Sequence, residues 1–259
     1  VTIRRKVLTA VGLLVGVAAV GLAIAVFVSS EPMPKAGTTG EAADALAHRL
    51  EKASNKEAWD RTGAVEWYHA KRTHHLWDRK RNFDRVSWKE YEVLLDIGRE
   101  EGVATKSGGK LSGAEKDEAV RKAYKLWAND SFWLNPLSKL FDDGVTREKV
   151  EVPEKDRALA DTGLLVKYSS GGVTPGDAYL WLVPKDGLPP AWRMWVSILP
   201  IKGLEVSWQK WEPLQTGALV SRHHELSALN VDLDDVRGAS TLAELTGGSD
   251  PFAPLVAAP

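Results

Sequence analysis

The residues in this sequence whose types and spacing bear on chemistry fall into two groups, a set of histidines and an acidic pair. His69, His74, His75 and Asp78 lie within ten positions of one another, and His223 and His224 stand apart near the C-terminus. Imidazole and carboxylate are good zinc ligands, and three of them with an open fourth position make a hydrolytic centre. Against that, His74 and His75 are neighbours on a predicted strand and must point to opposite faces. No His-Glu-x-x-His helix is present either. Surface or hydrogen-bonded histidines are therefore the expectation, with no metal site. Asp142-Asp143-Gly144 places two carboxylates side by side. They can share a proton or hold a cation, but Asp-Gly after a helix is ordinary turn chemistry, which is the preferred reading. No Gly-x-Ser-x-Gly elbow marks an activated serine. A catalytic residue is therefore not assigned, and the expectation is a protein that is not an enzyme and carries no cofactor.

Composition supports that emphasis. The 259 residues include eleven tryptophans and no cysteine, with a formal net charge of −1. The absence of cysteine removes disulfides, thiolate metal sites and a thiol nucleophile together. Balanced charge without a basic stripe speaks against nucleic-acid binding. The tryptophans are large apolar groups that need cover, as core or as the walls of a cavity.

The elements that position them follow from periodicity. Val7 to Val28 is uncharged, flanked by Arg4, Arg5 and Lys6 before and Glu31 after. It predicts a transmembrane signal anchor over residues 1–30, with the following domain exported to the periplasm from a single-pass inner-membrane tether. Residues 31–40 read as a linker. Glu41 to Arg61 predicts a helix with Ala43, Leu46, Leu50 and Ala53 on its inner stripe. From Gly63 the period becomes two: Val65, Trp67 and His69 share a face, then His75 and Trp77. A single longer strand is expected over Ser87 to Ile97, and a mobile loop over Glu100 to Ser112. A second helix is expected from Gly113 to Ala128, with Ala119, Val120, Ala123, Leu126 and Trp127 on its stripe and Asn129-Asp130 as stop signals, leading into an irregular aromatic plug up to Val145. Short strands separated by turns follow as far as His223. In Ala178 to Val183 both alternating sets are apolar, so that strand should be covered on both sides. Residues 246–259 read as a flexible tail.

Several segments in this order resemble the bacterial lipoprotein-carrier superfamily with the LolA-like fold. They are His75-Leu76-Trp77-Asp78, Asn129-Asp130-Ser131-Phe132-Trp133-Leu134, Lys139-Leu140-Phe141-Asp142-Asp143-Gly144-Val145, Gly172-Val173-Thr174-Pro175-Gly176-Asp177 and the Trp192-to-Trp211 strand pair. The resemblance covers about residues 41 to 225. It implies an incomplete β-barrel whose helix-closed hollow accepts acyl chains. A tethered chain departs from the soluble carriers of that group, which puts shuttling in doubt.

The fold expected is thus α+β: one curved antiparallel sheet covered by helices over residues 41–245, preceded by the transmembrane helix. The function expected is binding of a lipid or lipidated protein in a sheet–helix cavity, with envelope proteins as further partners. Residues placed on its wall are Trp67, Tyr91, Trp133 and Leu137 from the first half, and Trp181, Trp192, Met194 and Trp208 from the second. The alternatives are an interaction module with a filled core, or a metal-dependent hydrolase.

Overall fold

The computed structural model describes residues 30–170, 175–227 and 229–256. Over these the chain is α+β, with two antiparallel sheets. After helices α1 (Glu41–Ala53) and α2 (Lys56–Arg61) comes a meander: β1 (Ala64–His69), β2 (Thr73–Asp78), β3 (Phe83–Trp88), β4 (Tyr91–Asp96), β5 (Glu101–Lys106) and β6 (Gly109–Lys110). Helix α3 (Gly113–Leu134) and a 3-10 turn (Pro136–Lys139) lead to β7 (Val145–Val150), β8 (Thr162–Tyr168), β9 (Ala178–Val183), β10 (Ala191–Trp195) and β11 (Leu204–Ser207). The chain then passes through Trp208 into β12 (Gln209–Pro213), β13 (Leu219–Leu226) and β14 (Leu229–Ala239), and ends in short helices α4 (Leu242–Thr246) and α5 (Ala253–Val256).

One sheet has nine strands in the order β12-β13-β14-β1-β2-β3-β4-β5-β6; the other has five, β11-β10-β9-β8-β7. The expectation of one curved sheet forming an incomplete barrel behind a membrane-spanning helix is thereby corrected. Strands β11 and β12 are consecutive: Trp208 between them still donates its backbone N–H to Pro190 O at 2.7 Å, beside β10, and from Gln209, opposite His223 of β13, the chain belongs to the other sheet. Among the described residues no helix is long and apolar enough to cross a membrane, and Val7 to Val28 lies outside them.

Three further expectations are corrected. Ser87 to Ile97 is not one strand: Lys89, at φ 49°, turns the chain and β3 pairs back on β4 with Trp88 opposite Tyr91. Glu100 to Ser112 is not a loop, because β5 pairs along β4 from Tyr91↔Lys106 to Asp96↔Glu101. The second helix does not stop at Ala128 but runs to Leu134 and takes Phe132 and Trp133 into regular structure. Residues read as linker and tail also make contacts. Thr38 bridges Lys149, Glu31 N donates to Lys202 O, and Phe252 is fully buried with its ring 5.8 Å from that of Phe83.

Periodicity explains the layering. In β9 every residue is buried, as its two apolar sets require. Tyr179, Trp181 and Val183 face α1, the 3-10 turn and the end of α3, while Ala178, Leu180 and Leu182 pack on Val150, Val152 and Ala160. In the nine-stranded sheet, Val86, Val93, Leu95 and Ala104 meet Ala119, Val120 and Ala123 of α3. One stripe of α3 thus covers the meander, and its last turn reaches the five-stranded sheet.

Candidate functional site

The inner stripe of α3 runs from Ala123 to Asp130 and Ser131, both almost fully buried. A carboxylate on a buried stripe needs a partner. Asp130 finds one in His75, which β2 turns inward opposite Trp67 of β1 and Val86 of β3. His75 is fully buried, with Nδ1 2.7 Å from Asp84 Oδ2 and Nε2 3.0 Å from Asp130 Oδ2. Trp67 stacks on its ring at 4.3 Å and 11°. Burial opposes a charged imidazole, but Asp84 and Asp130 outweigh it and raise the His75 pKa to about 9. Asp130 in turn is held below the usual carboxylate range; burial works the other way but is overcome by His75 and by His69, whose Nε2 lies 3.5 Å from Asp130 Oδ1. This charged clamp ties the C-terminal half of α3 to the nine-stranded sheet.

The other histidines do not join it as metal ligands. His74 points to the opposite face, as its place beside His75 demands, and meets Glu66 at 3.0 Å. Asp78 accepts from Arg81 and from the backbone of Lys80 and Arg81. His223 pairs with Asp232 at 2.6 Å, and His224, buried, sits 4.2 Å from the Trp208 ring. Burial drives the His224 pKa down to about 3, against one hydrogen bond with Ser207 O. Among the described residues no three His, Asp or Glu side chains form a group that could hold a metal ion.

Past the clamp, Phe132 and Trp133 are aimed at the five-stranded sheet. Phe132 lies 5.1 Å from Tyr179, 5.4 Å from Tyr168 and 5.8 Å from Trp192; Trp133 lies 5.5 Å from Trp192 and stacks over Trp208 at 6.1 Å. Centroid separations of 4.5–7 Å are those of favourable aromatic pairs. Where this packing ends, a pocket of about 430 Å³ opens. Its walls are the last turns of α3 (Tyr124, Trp127, Phe132, Trp133), the inner sheet face with the residues just past it (Tyr168, Tyr179, Met194, Val196), the loop bearing Leu199, and Leu226 at the end of β13. Lys139, Asp142, Asp143 and Asp177 supply its charges. Pockets of this size and apolarity are usual for small ligands.

Of the residues expected on the wall, Trp133 and Met194 line this pocket. Leu137, Trp181, Trp192 and Trp208 lie in the solid core behind it, fully or almost fully buried. Trp67 is stacked in the clamp, and Tyr91 stacks on Trp88 at 5.3 Å over the meander. Sequence reasoning missed Phe132, Tyr168, Tyr179 and Leu226 as lining residues. The period of two would have found Tyr179, since it shares a face with Trp181 and neighbours Met194 across the β9–β10 pair. Nothing local marks Leu226, which a hairpin of the other sheet brings in.

Asn129 and Asp130, expected as helix stop signals, lie inside α3; Asn135, with φ −154°, ends it, and its Oδ1 accepts from Ser138 N to start the 3-10 turn. The Asp142-Asp143-Gly144 turn is as expected for the backbone. Gly144 has φ 78°, and its carbonyl accepts from both N and Oγ of Ser169. No family model matches the chain, and no curated protein does either.

Proposed function

We propose that this protein binds a hydrophobic ligand, an acyl chain of a lipid or of a lipidated protein, in the pocket between the end of α3 and the five-stranded sheet. The observation that carries the reading is that pocket itself, walled by aromatic and aliphatic side chains on elements held from both sides. Burying about ten methylenes at ~0.8 kcal/mol each yields roughly 8 kcal/mol before immobilisation costs, enough for useful affinity. The charged clamp at His75 is buried apart from the pocket and takes no part in this binding.

Native mass spectrometry of the purified protein, followed by extraction, should identify a co-purifying amphiphile. Trp133→Ala should weaken its retention about tenfold while the far-UV spectrum stays unchanged. Unaltered retention in the folded variant refutes the role of Trp133. Absence of any ligand, with tryptophan emission indifferent to added fatty acid, returns the protein to a filled-core interaction module.

A further inference from the structure

The pocket is not electrically neutral. Three carboxylates, on Asp142, Asp143 and Asp177, line it against the single ammonium of Lys139. Lys139 Nζ lies 3.4 Å from Asp142 Oδ2, so that pair is internally compensated. The side chain of Asp143 has no hydrogen-bond or ion-pair partner among the described residues, although its main chain is fixed in the turn by Ser170 Oγ on its carbonyl. Asp177 is only 4% exposed; its Oδ1 accepts from Ser197 N at 2.9 Å, and Oδ2 has no hydrogen-bond partner among the described residues. Asp177 lines the pocket, so its second oxygen is available there to a positive group. Burial and the Asp177 carboxylate together push the Tyr179 phenol up, and the Tyr168 hydroxyl, on the same wall, is buried without a hydrogen-bond partner among the described residues.

The rest of the wall suits the same charge. Aromatic rings present a negative face to a cation, and boxes of such rings are how quaternary ammonium groups are recognised. Tyr124, Trp127, Phe132, Trp133, Tyr168 and Tyr179 all line the pocket. An anionic head would meet two uncompensated carboxylates and the negative faces of the rings. We propose that the ligand is a single-chain amphiphile with a cationic, ammonium-type head, the head held by Asp143, Asp177 and the aromatic walls and the tail by Val196, Leu199 and Leu226. This inference rests on reading the pocket as an apolar-ligand site and adds the charge of the head.

The test is binding of three dodecyl probes to the full chain below their micellar concentrations, followed by calorimetry and tryptophan emission: dodecyltrimethylammonium, dodecyl maltoside and laurate. The trimethylammonium probe should bind about tenfold tighter than the maltoside, and laurate weaker than both. In Asp143→Asn, an exposed position that should not perturb folding, and in Asp177→Asn, the cationic preference should shrink severalfold while maltoside affinity holds. Equal affinity for all heads, a preference for laurate, or a cationic preference that survives both substitutions overturns the inference and leaves the pocket reading standing. No binding by any probe overturns both.

Discussion

Raising the pH from 6.5 to 9 should remove about 3 kcal/mol of folding stability through one side chain, His75. In the unfolded chain its imidazole titrates at the ordinary 6.5; in the folded protein Asp84 and Asp130 hold the proton until about 9 against the pull of burial. A group with a raised folded pKa contributes fully below 6.5 and loses its contribution as pH rises through about 9, because over that window the native state binds the extra proton. The displacement from 6.5 to about 9, at 1.36 kcal/mol per pKa unit, gives about 3 kcal/mol. His223, raised by its hydrogen bond to Asp232, acts with the same sign, so the wild type alone does not isolate the effect. Asp84→Asn does: it keeps the shape of the clamp but removes the carboxylate that favours the proton most. Urea unfolding of both proteins at pH 6.5, 7.5, 8.5 and 9.5 should show a shallower decline in the variant. An NMR titration of the His75 ring reads the proton directly. A ring that titrates at or below 6.5, or an equal decline in both proteins, refutes the charged clamp.

Other predictions concern stability away from the clamp. On the acid side, burial holds His224 neutral down to about 3, so its contribution is lost as pH falls below 6.5; His224→Leu should flatten that limb in denaturant titrations. Arg193, almost fully buried, holds Asp156 through two bonds of 2.6 Å. Arg193→Met should cost about 3–5 kcal/mol, because it strands a buried carboxylate, and Asp156→Leu in the same chain should recover part of it. Phe252→Ala should cost about 3 kcal/mol in urea unfolding, since Phe252 is fully buried against Phe83; a loss under 1 kcal/mol would mean the C-terminal segment does not pack in solution.

How much of this was legible varies element by element. The inward set Val65, Trp67, His69, His75 and Trp77 followed from a period of two, and so did the opposite facing of His74 and His75. The inner stripe of α3 was legible as far as Trp127 and then misread, because Asn129-Asp130 has the composition of a helix stop. In the fold, Asp130 lies on the buried face, where pairing with His75 outweighs propensity. Strand β14 went unnoticed: Leu229–Ala239 carries three acids and alternates weakly, yet it lies between β13 and β1 in the nine-stranded sheet. Its pairing is secured by backbone bonds to two neighbours, which side-chain pattern does not report.

By itself the sequence determined that both faces of β9 must be covered, that the aromatic pair Phe132-Trp133 must lie against a sheet, and that thiol chemistry has no cysteine to build on. These are consequences of side-chain period and composition, which act over a few residues. Only the tertiary structure decided that the strands divide into two sheets at Trp208, that Trp181, Trp192 and Trp208 fill the hollow rather than line it, and that the open space lies beside Phe132, Tyr168 and Asp177. The physical reason is that a cavity is what packing leaves over. It depends on how side chains from β8, β9, β10 and the end of α3 share one volume, and no local pattern encodes that remainder.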